Sequence, residues 1–282
     1  MTFPKINSVL QNLIIRALTG ALFVIAITSA IYIHPYTFVV LFALAVGSAL
    51  WEFYNVTGEK KVVHRLIGTG GGMYLFTATF VYAGGFVSGI IFYPYILFLL
   101  AILISSLYNT KPDPVNHCAM SLFAQFYCAG LLAFLNFIVF DPATKQYLPY
   151  FALLIFIFVW LNDTFAYLTG ITLGKHPFFP RVSPKKSWEG FWGGLVITLV
   201  ISQVIAFYFP EIINWHQSLV IAAITVVFGT YGDLVESLLK RTYGVKDSGA
   251  FFPGHGGVLD RFDSVILAAP AVYMYIALFI RN

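Results

Sequence analysis

Long runs that are apolar on every face alternate along this chain with short polar connectors. Stretches such as YILFLLAILISSLY and LLIFIFVW show neither the two-residue alternation of a half-buried strand nor a polar helical stripe. A transmembrane barrel would instead alternate apolar and polar positions over segments of about ten residues. Helices surrounded by hydrocarbon fit the pattern, each needing about 20 residues to cross roughly 30 Å. Windows of that kind fall near residues 15–33, 37–55, 66–83, 86–108, 118–140, 149–170, 191–209, 218–239 and 264–280. The expected fold is therefore all-α: a polytopic integral membrane helical bundle of about nine transmembrane helices. The least marked boundaries are Gly84 and Gly85, which leave room only for a very tight turn, and His34 to Tyr36, where Pro35 parts two apolar runs. Seven or eight spans are the alternatives.

Composition removes the soluble alternative. With 59% hydrophobic residues, 10% charged residues, 29 Phe and 17 Tyr in 282 positions, and a mean hydropathy of +0.83, too little polar surface exists to coat a water-soluble globule. The first apolar run meets no small-residue cleavage site, so the first helix is expected to stay in place. No internal repeat or low-complexity tail breaks the chain, which reads as a single membrane domain, 1–282. Within it, residues 1–150 are expected to supply packing and any oligomer contacts, and residues 151–282 the catalytic helices and loops. Charge sets the orientation: with a cytoplasmic N-terminus, 14 of the 16 Lys and Arg fall on inner segments, and only Lys145 and Arg281 fall outside. That arrangement turns Gly174 to Gly190 and Ser237 to Asp263 toward the cytoplasm, from the inner membrane if the cell is bacterial. Cys118 and Cys128 sit ten positions apart in one helix, about 15 Å along its axis. They cannot bridge each other there and read as ordinary small residues.

An ionised carboxylate is costly in hydrocarbon, so each intramembrane acid is a functional candidate with a partner or polar cavity to find. Before Tyr150 the spans hold one, Glu52, which reads with Trp51 as an interfacial anchor and its snorkelling neighbour. Gly68, Gly70, Gly71 and Gly72 lack the lysine of a phosphate loop and read as a close-packing surface. The later acids are grouped. Trp160, Asp163 and Tyr167 share a helix face, as do Asp233, Glu236, Ser237 and Lys240. A third group, HGGVLDRFD, sets Asp260 and Asp263 three apart after His255, Gly256 and Gly257. Carboxylates converging from two segments suit Mg²⁺, which takes oxygen ligands and substrate phosphates. Asp233 and Asp260 are the first choices, with Asp263 and Glu236 either supporting them or pairing with Arg261 and Lys240. The bases Lys240, Arg241, Lys246 and Arg261 exceed what these acids need and suit a polyphosphate. A second basic cluster, Lys175, Arg181, Lys185 and Lys186, surrounds a turn at Ser183 and Pro184. Its plain reading is a topology-setting loop; its functional one is a phosphate clamp stiffened by Pro177, Pro180 and Pro184, with Ser187 to Glu189 capping the next helix.

The run SLLKRTYGVKDSGAFFPGHGGVLDRFD closely resembles the signature of the phosphatidate cytidylyltransferases, or CDP-diacylglycerol synthases. Ser237, Lys240, Arg241, Lys246, Asp247, His255, Gly256, Gly257, Asp260, Arg261 and Asp263 fall where that pattern expects them. Asp163 to Gly174, SPKKSWEG and GDLVES look like accompanying blocks, so the resemblance covers roughly Trp160 to Pro270. It implies Mg²⁺-dependent attack of phosphatidic acid on the α-phosphorus of CTP, giving CDP-diacylglycerol and pyrophosphate. It leaves open whether a second cation such as K⁺ takes part. On this reading Asp233 and Asp260 hold metal, Asp263 and Asp163 support the polar site, and Lys240, Arg241 and Arg261 hold phosphates. Lys185 and Lys186 steer CTP, while Ser183, Ser237, Lys246 and His255 join the substrate contacts, His255 by hydrogen bonding more than as a base. The partners expected are the two substrates and the bilayer, with no nucleic acid and with a homodimer allowed by the small-residue surfaces. Two rivals remain: a CTP-dependent lipid kinase moving the γ-phosphate, and, less favoured, a polytopic transporter.

Overall fold

The computed structural model describes residues 5–59, 61–108, 112–249 and 256–281, with side chains from residue 17 onward. His255, Lys60 and Lys111 lie outside the described residues. The helices are α1 (Lys5–Ile33), α2 (Pro35–Val56), α3 (Val62–Ala83), α4 (Tyr93–Leu107), α5 (Pro114–Ala124), α6 (Phe134–Val139), α7 (Tyr150–Leu173), α8 (Trp188–Tyr208), α9 (Trp215–Thr242) and α10 (Leu259–Phe279). A 3₁₀ turn, Gly89–Phe92, leads into α4, and a π-helical stretch, Gln125–Gly130, separates α5 from α6. Among the described residues, seven helical segments are long and apolar enough to cross a membrane, and Ala17–Ile33 is a shorter apolar one. The chain is an integral membrane protein with an all-α bundle. The α3 helix is the least apolar of the expected spans because it carries His64, Arg65 and the glycine run.

Local signals fix the helix starts. The α2 helix begins where the His34 ring accepts from the Tyr36 amide, with Pro35 in the first turn. The α9 helix opens on a capping box in which Asn214 and Gln217 each accept the other's amide. Ser187 caps α8 by accepting from the Gly190 amide, as its sequence suggests. One addition to the helical plan is a two-stranded antiparallel hairpin, β1 (Pro177–Phe179) and β2 (Ser183–Ser187), in the basic loop.

Lipid tails are as apolar as leucine, so the helices hold together by close packing and internal polar bonds. The core is aromatic: Phe42 meets Phe156 and Phe262 edge-on and stacks on Phe76. Glycines admit their neighbours as expected, Gly68 lying against the Tyr54 ring, Gly71 against Phe98 and Gly72 against Leu50. Buried polar groups find partners across helices. His64 sits 2.7 Å from both Ser105 and Ser121, and the Gln125 amide donates to Tyr54 and to the Gly68 carbonyl. Cys118 and Cys128 are both free thiols.

The site depends on the sequence α7, α8, α9, α10, in which each helix packs extensively on the next. Gly190 and Gly194 of α8 leave no room for a Cβ against Ala166 and Asn162 of α7. At Gly232 of α9 a Cβ would run into the Asp263 carbonyl of α10. These approaches bring Asp163, Asp233 and Asp263 from three helices to one place.

Candidate active site

On α9 the spacing 233, 236, 237, 240 puts two carboxylates, a hydroxyl and an ammonium on one face. That face meets the first turns of α10, where Phe262 is buried in the aromatic core and Asp260 and Asp263 turn toward α9. Lys240 lies between the helices, its Nζ 2.5 Å from Glu236 and 2.6 Å from Asp260. Glu236 is fully buried, and its Oε1 has no hydrogen-bond partner among the described residues. Oxygens of Asp233, Glu236 and Asp263 all fall within 4.8 Å of one another.

The two carboxylates expected to share a metal are placed differently. Asp233 belongs to the three-acid group, whereas Asp260 accepts from Lys240 and from the amides of Ser248 and Gly257, at 3.1 and 2.7 Å. The physical reason is position: Asp260 stands in the first turn of α10, where free amides attract a carboxylate, and Asp263 stands one turn deeper. Asp263 accepts from its neighbour Ser264, and Ser237 donates to Asp233 at 3.2 Å.

The hairpin brings the second basic cluster to the same point. Glu189 in the first turn of α8 accepts from the amides of Lys175 and His176 and pairs with the His176 ring at 2.5 Å, anchoring the loop. From β2, Lys186 reaches Asp233 at 2.5 Å. Lys185 is exposed beside it, and Ser183, half-buried, opens the strand. A cavity of 610 Å³ lies between this hairpin and α7, lined by Asp163, Lys185, Lys186, Phe178 and Asp233. A second cavity of 310 Å³ shares Asp163 and is lined by Thr19, Phe23, Asp260, Arg261 and Asp263. The Nε of Arg261 is buried and lacks a hydrogen-bond partner among the described residues. Thr19 and Phe23 also line an apolar groove of 400 Å³ between α1, α2 and α10. Arg241 and Lys246 stay outside this convergence: both are exposed, and Arg241 donates to the Val245 carbonyl beyond the end of α9.

Two residues gained their place only from the structure. Asn162, one position before Asp163, is buried with its Oδ1 unpartnered at the larger cavity. Glu52 is not a snorkelling neighbour of Trp51. It is 7% exposed and accepts hydrogen bonds from Ser248 Oγ, Val258 N and Leu259 N, at 2.9, 2.9 and 2.8 Å. Trp51 itself carries the Arg65 guanidinium 3.6 Å above its ring. The rule that a buried acid must have partners pointed at Glu52, but no sequence spacing links it to residues two hundred positions away.

The described carboxylates at the junction, Asp163, Asp233, Glu236, Asp260 and Asp263, outnumber the cations Lys186, Lys240 and Arg261. A cytidylyltransferase family model matches residues 14–279 of the chain. The chain belongs to the cytidylyltransferase family. Similar curated relatives are named phosphatidate cytidylyltransferase. That of Staphylococcus haemolyticus is 46% identical over 128 residues, 45% of this chain and 49% of the relative. That of Bacillus subtilis is 47% identical over 123 residues, 44% of this chain and 46% of the relative. The chain thus spans about half the length of the curated relatives it matches. The site thus combines a carboxylate cluster with the cations Lys186, Lys240 and Arg261 beside it.

Proposed function

We propose that the protein is a phosphatidate cytidylyltransferase that joins CTP to phosphatidic acid at the meeting point of the two cavities. The observation that carries this reading is their shared wall: a lysine-lined cavity and an arginine-lined one meet at Asp163, and the arginine-lined one shares Thr19 and Phe23 with an apolar groove. A nucleotide triphosphate suits the first and a lipid phosphate the second. The relatives' name supports the same pair of substrates.

An oxygen of the lipid phosphate forms the new bond to the α-phosphorus of CTP. The bond from that phosphorus to the bridging oxygen breaks, and its electron pair leaves with pyrophosphate. The attacking group is already an anion, so no strong general base is required, and the chain's task is to align two anions and offset their charge. Lys186, held by Asp233 and the hairpin, and Lys185 beside it would take the triphosphate. Arg261 would take the lipid phosphate, using the donor it leaves unpartnered.

The donor set also fits a divalent cation. It is all oxygen, it is compact, and Glu236 contributes an unpartnered atom. Asp233, Glu236 and Asp263 would hold Mg²⁺, which when bound would neutralise phosphate charge. The positive-inside pattern supports a site facing the cytoplasm, where CTP is found. A test follows both ends of the nucleotide: purified protein in detergent receives phosphatidic acid with CTP labelled at the α or the γ phosphate. Label from α in the lipid and from γ in pyrophosphate is expected. Label from γ in the lipid would replace this reading with a kinase.

A further inference from the structure

We infer that Glu52 is a positioning residue for the transfer reaction: from α2 it clamps the start of α10 and so sets the placement of Asp260, Arg261 and Asp263. The N-terminus of a helix leaves free amides, and Val258, at the cap position of α10, offers no side-chain acceptor. Glu52 fills that role from another helix, one oxygen accepting from Val258 N and the other from Leu259 N. The second oxygen also accepts from Ser248 Oγ, at the far end of the segment that joins α9 to α10.

Asp260 completes the clamp from the α10 side. Its carboxylate accepts from Ser248 N and Gly257 N while pairing with Lys240. Two carboxylates, one from each half of the chain, thus hold Ser248 against the first turn of α10. The glycines of the signature follow from this arrangement. A Cβ at Gly249 would stand 2.5 Å from Glu52 Oε1, and one at Gly257 would collide with the Glu52 carboxylate. Gly256 has a different reason, a φ of +79° that favours glycine. Asp263 lies one helical turn beyond Asp260, so a shift or fraying of that first turn moves it relative to Asp233 and Glu236. A carboxylate at a helix start is favoured by the helix dipole as well as by its hydrogen bonds.

The kinetic part of this inference rests on the proposed cytidylyl transfer; the structural part does not. The experiment compares full-length wild type, Glu52→Gln and Glu52→Asp in detergent. It reads amide hydrogen exchange by peptide, the thermal transition, and kcat and KM for CTP and phosphatidic acid. In Glu52→Gln an NH₂ group replaces one acceptor, so a helix-start amide loses its partner. Faster exchange is expected in peptides covering residues 256–262, with α2 and the middle of α9 unchanged. The kcat should fall on the order of 10- to 100-fold, as for other residues that orient a reacting shell, while both KM values stay within about twofold. Glu52→Asp keeps the charge but shortens the reach, and should recover part of the kcat.

Faster exchange throughout α2 and α9 with a lowered thermal transition would overturn the inference in favour of a purely structural role. So would unchanged exchange at 256–262, or a raised KM with unchanged kcat. A wild type that makes no nucleotidyl lipid would defeat the functional reading alone, and the exchange pattern would still decide the clamp.

Discussion

The cavity beside the hairpin and the cavity beside α1 share Asp163, yet they draw their cations from different elements. The first is the larger, 610 Å³ against 310 Å³, and its cations come from a short hairpin, Lys185 and Lys186 on β2. The second takes its cation, Arg261, from a helix, and shares Thr19 and Phe23 with an apolar groove bordered by Leu22, Ala26 and Leu44. That difference would let one bundle admit two anions of unlike solubility. On the proposed function, a water-soluble ligand would be met by lysines on a loop anchored through Glu189, and a lipid-soluble one by an arginine whose cavity shares Thr19 and Phe23 with the apolar groove. Between them stands the carboxylate group of Asp233, Glu236 and Asp263.

The largest effect is expected from the carboxylate group that stands between the two cavities. Asp263→Asn should lower kcat on the order of 1,000-fold, the upper end of what losing one preorganised electrostatic group costs, and should raise the Mg²⁺ needed for half-maximal rate. An active variant with an unchanged Mg²⁺ titration would remove Asp263 from the metal-binding set. Lys240→Met acts on the wall rather than the cavities. It leaves Glu236 and Asp260 without their shared cation, and the fold should lose about 3–5 kcal/mol, read as a lower thermal transition in detergent. A transition at the wild-type temperature would mean the pair is not held as described. The smallest effect belongs to the groove alone. Ala26→Trp should raise KM about fivefold, or about 1 kcal/mol, for long-chain phosphatidic acid and leave a short-chain analogue unaffected. Equal KM values for both lipids would separate the groove from the substrate.

The bundle was legible in the sequence because its helices are apolar on all faces, and each window placed on hydropathy coincides with a helical segment. Ser187 caps α8 as the segment Ser187 to Glu189 suggested, and Pro35 parts α1 from α2 as its place between two apolar runs suggested. Three features were not legible. The hairpin at Pro177 to Ser187 is too short and too proline-rich to show strand alternation, and its anchor, Glu189 accepting from the Lys175 and His176 amides, lies across the loop. The π-helical stretch at Gln125 to Gly130 has no composition that separates it from the helix around it. The grouping of carboxylates depended on the close approach at Gly232, which selected Asp263 rather than Asp260 to face Asp233 and Glu236. Helix spacing had put Asp233, Glu236, Ser237 and Lys240 on one face of α9; which turn of α10 meets that face is a matter of packing. Glu52 shows the same limit over a longer distance, its partners lying at the start of α10 and at Ser248 in the segment before it.

The claim at the centre of this account is that the two substrates reach the carboxylates from opposite sides. A crossed measurement of KM tests it most directly, using Lys186→Ala for the hairpin side and Arg261→Gln for the groove side. The loss of one charge-assisted phosphate contact should cost about tenfold or more. Lys186→Ala should show that rise for CTP with little change for phosphatidic acid, and Arg261→Gln should show the reverse. If both variants weaken the same substrate, or each weakens both equally, the substrates share one cavity and the division described here is wrong.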